Sequence, residues 1–481
     1  MFASIRSAVL FGARGNPVVV EVHVGKGLPC FQLVGLPDES IRESRDRVRA
    51  ALLSSGYAWP DTRITVNLAP SPHRKTGSGL DLAIALGVLV ANGDVPAEAV
   101  AGRAFVGELG LDGSVRSVPG VAPMVGALGD LEVVVPFGTA GEAQVAALGA
   151  VRVAERLGEL VEVLHGRAAW PETPVAVDDD ADGRVPDLAE VHGQTLGRRA
   201  LEIAAAGGHH LLFVGSPGSG KSMLARRLPG LLPALDRDAA LEATMIHSAA
   251  GERLPPGGLV RRPPFRAPHH TSSMVSLVGG GSHTLRPGEI SLSHRGVLFL
   301  DEIAEFAPSV LDGLRQPLED GVVSVGRAKT RAVLPADFLL VAAMNPCPCG
   351  GGPPGDCRCD PAALRRYARR LSGPLLDRFD LRVTVQRPAV DDLVAGRPGE
   401  SSAVVAERVA AARELARRRQ GGLNAGIGPG QLDDVAPVEA DAVALLRHEI
   451  ETGRLSGRGY HRVRRVARTI ADLEARRGPT V

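Results

Sequence analysis

No apolar run in this 481-residue chain reaches the ~18–20 residues needed to cross a bilayer, so no membrane-spanning role is expected. The N-terminus, Met1-Phe2-Ala3-Ser4-Ile5-Arg6, lacks the charged segment followed by a long apolar stretch that marks a secretory leader. The cytoplasm is therefore the expected compartment. Charge of one sign is also missing. The formal net charge is +1, so no global basic field advertises nucleic acid, and any such surface must be local. Lysine is scarce: four residues (26, 75, 221 and 329) stand beside 51 arginines. With abundant Ala and Gly, this bias reflects a GC-rich genome rather than function. What remains, 44% hydrophobic and 23% charged residues, is the composition of a soluble globular protein. The length calls for about two to four domains.

One of the four lysines closes a motif. Gly215-Ser216-Pro217-Gly218-Ser219-Gly220-Lys221-Ser222 directly follows the apolar run Leu211-Leu212-Phe213-Val214, the arrangement of a strand entering a phosphate loop. The glycines let successive backbone N–H groups converge on phosphates, and the next helix aims its N-terminus at the same charge. Lys221 can reach the β- and γ-phosphates of ATP, and Ser222 can ligate Mg²⁺. About eighty residues on, Val297-Leu298-Phe299-Leu300 reads as a buried strand ending in Asp301 and Glu302. There Asp301 would hold Mg²⁺ through water and Glu302 would polarise the attacking water. The bland reading of such a pair is a helix N-cap; below a good phosphate loop it loses weight. Together the motifs imply nucleotide hydrolysis.

Two further segments extend the set. Phe338-Leu339-Leu340-Val341-Ala342-Ala343-Met344 reads as a third buried strand, ending in Asn345, whose amide can orient the lytic water. An Asn before Pro is otherwise an ordinary turn former. In Leu375-Leu376-Asp377-Arg378-Phe379-Asp380, Arg378 at a helix end can serve a neighbouring subunit's γ-phosphate as an arginine finger. Taken alone it would be a surface arginine.

Around this centre the chain divides. Residues 1–168 alternate strand-like runs (Val18–Val24, Ile64–Asn67, Val133–Val135) with helical ones (Ser40–Ser54, Leu80–Val90), an α+β or α/β unit. Residues 169–186 are acidic and Pro-bearing and read as a linker. Residues 187–388 carry the nucleotide motifs on an α/β core, and 389–481 turn helical, as in Ala403–Arg419 and His461–Arg476.

The order of these motifs resembles the magnesium-chelatase/MCM branch of the AAA+ ATPases. More specific stretches resemble the bacterial magnesium chelatase-like family of the ComM/YifB type: Phe265-Arg-Ala-Pro-His-His-Thr271, Gly279-Gly-Gly281, Arg286-Pro-Gly-Glu-Ile-Ser-Leu292, Leu314-Arg-Gln-Pro-Leu-Glu319 and Asn345-Pro-Cys-Pro-Cys-Gly350. The resemblance covers nearly the whole chain. It implies a homohexameric ring and makes the C-terminal helices a lid whose Ser456-Gly-Arg-Gly459 supplies a second sensor arginine. That residue is Arg458, acting on the γ-phosphate of its own subunit; Arg462 and Arg465 are nearby rivals for the role, read otherwise as surface charges. Members of the family carry another helix beyond Ala467–Leu473, so the lid is expected to be incomplete, with consequences for Arg458.

Residues 1–168 resemble the fold shared by the Lon protease catalytic domain and its non-proteolytic relatives, through Lys75-Thr-Gly-Ser-Gly-Leu-Asp-Leu-Ala-Ile-Ala85 and Gly107-Glu-Leu-Gly-Leu-Asp-Gly-Ser114. A Ser–Lys dyad needs a hydroxyl and a desolvated amine within hydrogen-bond reach. On the Lon pattern the nucleophile position is Gly79 and the lysine position Ala122, and Ser78, one residue away, has no lysine assigned to it. Peptidase activity is not expected; docking or substrate guidance is.

Cys347, Cys349, Cys357 and Cys359 crowd one Gly/Pro-rich loop. Such a quartet suggests Zn²⁺, although C-x-C pairs are tighter than the common C-x₂-C; the rival reading is four reduced, unliganded thiols. Cys30 reads as a small buried residue. Val322–Leu334 reads as a hairpin with Arg327, Lys329 and Arg331 near its tip, on the bland view a solvated turn. In the resembled branch, however, this hairpin and an insert at roughly 252–290 face the ring pore, where basic tips can track a DNA backbone. His269, His270, His283 and His294 lack metal-like spacing and read as structural or pore-lining.

The resulting expectation is a cytoplasmic, ring-forming AAA+ ATPase that uses ATP and Mg²⁺ to translocate on DNA, as a helicase or branch-migration motor in recombination or natural transformation. Recombination or competence proteins are the expected partners. Two rivals stand beside it: a chelatase motor for Mg²⁺ insertion into a porphyrin, and a protein-remodelling ATPase. True chelatase motor subunits lack the Lon-like segment, which weighs against the first.

Overall fold

Alternating burial along Phe2–Phe11 and Arg14–Gly25 builds the hairpin on which the first sheet grows. The computed structural model describes residues 1–70, 75–174, 185–281, 285–327, 330–351, 357–389, 391, 394 and 398–475. The first sheet has seven strands in the order Cys30–Val34, Arg63–Ala69, Arg14–Gly25, Phe2–Phe11, Arg103–Phe105, Glu132–Pro136 and Val151–Ala154. The two long strands pair antiparallel, from Phe2 opposite His23 to Phe11 opposite Arg14, and Arg14–Gly25 is also antiparallel to Arg63–Ala69. The other pairings are parallel. Helix Asp81–Asn92, apolar on every side, is buried from Asp81 to Ala91, as a helix without a polar face must be. The expected Ser40–Ser54 helix is two pieces, Glu39–Arg42 and Ser44–Ser54.

Cys30 is exposed, not buried. It begins the edge strand, where every residue is exposed or half-buried because no neighbour covers its outer side. Ser78 donates its hydroxyl to the Glu108 carboxylate, and Lys75 donates its Nζ to the Pro70 carbonyl. No Ser–Lys pair therefore forms here among the described residues. Gly79 packs towards Val118 and Met124, and Ala122 is buried.

The second sheet holds five parallel strands in the order Phe265–Arg266, Val297–Leu300, Leu339–Met344, Leu211–Val214 and Leu381–Thr384. Its central strands are apolar along their length, as parallel strands covered on both faces must be. Register sets the chemistry. Leu300 lies opposite Ala342, and Val214 lies opposite Met344, so Gly215, Asp301 and Asn345 emerge at one edge of the sheet, where open α/β sheets bind ligands.

Among the described residues the two units touch at the first hairpin's turn and around helix Arg237–Ala250, among other places. At the first hairpin's turn, a Cβ on Gly12 would lie 3.2 Å from Leu334 Cδ2, and Ala13 packs into the second unit's apolar core. Elsewhere the Ser248 hydroxyl, on helix Arg237–Ala250, donates to the half-buried Glu142 carboxylate. Ala122 N–H donates to that same carboxylate and to Ser248 Oγ at 3.3 and 3.2 Å. Residues 175–184 of the expected linker lie outside the described residues.

The C-terminal helices Ser402–Gln420, Ala440–Glu451 and Gly457–Leu473 replace the strand pattern. Asp472 is almost fully buried and accepts from Arg419 Nη1 and Arg468 Nη2, both at 2.8 Å. Despite burial, these guanidiniums and Asn424 hold its pKa below the ordinary carboxylate range. Two hydrogen bonds tie this region to the start of the second unit: Ser402 N–H donates to Asp187 Oδ1 at 2.9 Å, and Leu188 N–H donates to Ser402 Oγ at 2.7 Å. No helix among the described residues is long and apolar enough to cross a membrane.

Candidate nucleotide-hydrolysis site

The strand Leu211–Val214 leads into Gly215, where only glycine fits, since any Cβ there would stand 2.3 Å from the Val385 carbonyl oxygen. The chain then curls through Gly218 and Gly220 at φ +77° and +92°, a left-handed region that favours glycine, before helix Lys221–Ala225 begins. Gln194, which no sequence motif singles out, braces this loop: its Nε2 donates to the Ser219 carbonyl at 2.9 Å and to the Gln386 carbonyl at 2.6 Å. Those partners follow it by 25 and 192 residues, too far for a local pattern to mark it.

The loop borders a cavity of about 380 Å³ lined by Pro217 through Met223, Asp301, Glu302, Ala343, Met344 and Asn345. Lys221 Nζ, largely buried, donates to the Gly215 and Ser216 carbonyls at 2.7 and 3.0 Å and to Asn345 Oδ1 at 3.3 Å. Burial lowers its pKa, and the carboxylates of Asp301 and Glu302 oppose that shift. Ser222 Oγ donates to Asp301 Oδ2 at 2.7 Å. Thus the hydroxyl and carboxylate expected to share a metal already meet. Ser219 Oγ is buried in the loop without a partner. An orphaned hydroxyl and an amine beside a left-handed glycine loop form a donor set suited to phosphate oxygens, while Ser222 and Asp301 supply the hard oxygens suited to Mg²⁺.

Glu302 is exposed and left-handed, at φ +50°, a conformation costing roughly 1–2 kcal/mol for a residue with a Cβ. Its carboxylate faces His270, whose Nδ1 stands 3.6 Å from Glu302 Oε2. His270 also lies against His269, ring centroids 4.1 Å apart, and edge-on to Phe306 at 6.5 Å. Spacing alone leaves His270 among structural or pore-lining histidines. The signal that could have found it is its place four residues after strand Phe265–Arg266, which borders the Asp301 strand. Replacing His270 with Ala is expected to lower kcat several-fold while leaving ATP affinity intact, as befits a positioning residue. Steady-state ATPase assays separating kcat from KM check this; wild-type kcat would remove His270 from the site.

Arg378 and Arg458 do not line this cavity. Arg378 is held by Glu319. Its pKa is depressed first by burial and then by the positive charges of Arg458, Arg315 and Arg462. Arg458 follows the N-cap Ser456 in the first turn of helix Gly457–Leu473 and is exposed. Arg458 stands near enough to Arg378 for its charge to be felt there, outside the residues that line the cavity. Arg462 is not the surface charge expected: it donates to the Phe379 carbonyl at 3.0 Å and faces Asp377 at 3.4 Å. Arg465 is likewise half-buried, with its pKa lowered by that burial. The adjoining Asp380 carboxylate meets His209 Nδ1 at 3.2 Å, and His209 Nε2 meets Thr469 Oγ1 at 2.7 Å. The arginine segment is thereby tied to both the sheet and the C-terminal helices.

The expected hairpin is present as Val322–Arg327 paired antiparallel with Thr330–Pro335, with Gly326 opposite Arg331 and Arg327 opposite Thr330. Lys329 and His283 lie outside the described residues. The four cysteine sulfurs Cys347, Cys349, Cys357 and Cys359 lie within 4.8 Å of one another, a grouping able to hold a metal ion.

Comparison with known proteins agrees in extent with the motifs. Residues 187–393 match the family described as magnesium chelatase, subunit ChlI. Residues 20–138 match subunit ChlI of Mg-chelatase, and 399–481 match the ChlI C-terminal family. An uncharacterized protein of Mycobacterium tuberculosis is 46% identical over 483 residues, covering 99% of this chain and 95% of its own. The uncharacterized protein YifB of Escherichia coli is 41% identical, covering 98% and 93%. The competence protein ComM of Haemophilus influenzae is 42% identical, covering 98% and 94%. With identity sustained over nearly the full length of each relative, the chain belongs to the magnesium chelatase-like AAA+ ATPase family of the ComM/YifB type.

Proposed function

We propose that the protein is a ring-forming, homohexameric AAA+ ATPase that couples ATP hydrolysis to translocation on DNA, in recombination or natural transformation. The observation carrying the ATPase reading is the convergence of Lys221, Ser222, Asp301, Glu302 and Asn345 on one cavity. The loop from Gly215 to Gly220 and Lys221 would bind the phosphates, with Lys221 exchanging its carbonyl partners for phosphate oxygens. Ser222 and Asp301 would hold Mg²⁺, which when bound neutralises phosphate charge. Glu302 would accept the proton of the attacking water, Asn345 would orient that water, and His270 would aim Glu302. Arg378 would reach a neighbouring subunit's γ-phosphate as an arginine finger, and Arg458 would act on the γ-phosphate of its own subunit.

DNA as substrate is supported by the hairpin and by the word competence in the name of the Haemophilus relative. Cytoplasmic placement and recombination or competence partners belong to the same reading. The first unit, read as Lon-like without its dyad, would guide substrate rather than cut it. ATPase rates with no addition, single-stranded DNA, branched DNA and unfolded protein test the proposal. Stimulation by DNA is expected; stimulation by unfolded protein alone would overturn it in favour of protein remodelling.

The hairpin gives a sharper test. Neutralising Arg327, Lys329 and Arg331 together is expected to weaken DNA binding and flatten its salt dependence, by roughly 0.7–0.9 in log–log slope for each phosphate no longer neutralised. Basal ATPase should survive, because the hairpin lies off the cavity, while DNA stimulation falls. An unchanged slope would make the hairpin a solvated turn.

A further inference from the structure

The cysteine quartet takes no part in the nucleotide chemistry, yet its geometry is specific. Sγ–Sγ separations are 3.3 Å for Cys347–Cys349, 3.6 Å for Cys347–Cys357 and 3.9 Å for Cys349–Cys357. Each is far longer than the ~2.05 Å of a disulfide. Four sulfurs at ~2.3 Å around a tetrahedral Zn²⁺ stand ~3.8 Å apart, close to these values. An iron–sulfur cluster interposes several metal and sulfide atoms between its cysteines, and sulfurs all within 4.8 Å leave no room for them. Soft thiolates also select against the hard cations Mg²⁺ and Ca²⁺.

The surrounding backbone favours the same assignment. Gly350 N–H donates to the Cys347 carbonyl at 3.0 Å, closing the turn that folds the first C-x-C pair back. We propose that Cys347, Cys349, Cys357 and Cys359 form a closed structural Zn²⁺ site. Four protein ligands leave no position for substrate, so the ion would organise the chain rather than act on a reactant.

What it would organise follows from its neighbours. Cys347 lies two residues beyond Asn345. A Cβ on Gly350 would stand 2.7 Å from Pro217 Cδ, so the knuckle rests against the phosphate loop. Directly after Cys359, Asp360 caps helix Pro361–Ala368, and Tyr367 on that helix donates its hydroxyl to the Asn345 carbonyl at 3.1 Å. The ion would therefore fix Asn345 from both sides. This positioning role rests on the hydrolysis reading above; the metal assignment does not.

Full-length protein purified with neither chelator nor added metal is expected to hold about one Zn²⁺ per chain. A mercurial thiol reagent should release it, and the Co²⁺-substituted protein should show thiolate-to-metal charge transfer with tetrahedral ligand-field bands. Metal below about a tenth of an ion per chain, with all five thiols freely reactive, would overturn the site; so would stoichiometric iron. These measurements need no variant to fold. Cys357→Ser/Cys359→Ser should then lose the zinc, retain ATP binding and turn over several-fold more slowly. Unchanged turnover in the zinc-free variant would overturn the positioning role and leave the metal measurement standing. Absence of ATPase in the zinc-loaded protein would instead overturn the hydrolysis reading.

Discussion

Glu302→Gln is expected to bind Mg·ATP about as well as the parent protein and to hydrolyse it at least ~100-fold more slowly, the loss that follows removal of a general base. The expectation rests on placement. Glu302 stands at the tip of the Val297–Leu300 strand, and its exposed carboxylate is left to His270 rather than to an arginine. The neighbouring Asp301 is already engaged by Ser222. Gln keeps the shape and loses the base. Lys221→Ala should behave differently, weakening nucleotide binding itself, because it removes the cavity's buried cation. Isothermal titration with ATP, paired with phosphate-release assays, separates the two. Undiminished turnover in Glu302→Gln would remove Glu302 from its role.

Arg378→Ala is expected to cost roughly 10³-fold in turnover, the lower end of what an arginine finger contributes, and to be rescued in part by mixing with Lys221→Ala protomers. In mixed rings some interfaces pair an intact phosphate loop from one variant with an intact Arg378 from the other. Pure rings of either kind have none. Arg458→Ala should not be rescued by Lys221→Ala protomers, because an arginine serving its own subunit needs that subunit's Lys221; rescue would instead assign Arg458, like Arg378, to the neighbouring subunit's phosphate. Mixed rings verified by mass spectrometry yet lacking all rescue would count against a shared site.

The central constellation is legible without any tertiary information. Buried parallel strands must be apolar throughout, so each ends abruptly where polar residues begin: Gly215, Asp301 and Asn345 read as strand ends before any strand is paired. The phosphate loop is legible for the same local reason, since its glycines and Lys221 must lie within a few residues of one another. The hairpin at 322–335 and the C-terminal helices also declare themselves through local periodicity. Whatever depends on residues far apart in the chain had to await the folded arrangement. Strand order left Cys30 on an exposed edge. The return of helix Gly457–Leu473 to the sheet brought Arg458 towards Arg378 and drew Arg462 onto the Phe379 carbonyl. Pairing of Phe265–Arg266 with the Asp301 strand carried His270 to Glu302, and the 192-residue separation of Gln194 from Gln386 hid the brace of the phosphate loop. Local patterns report on burial and backbone conformation, which neighbours in sequence set. The meeting of distant side chains is set by packing, which no short stretch of sequence records.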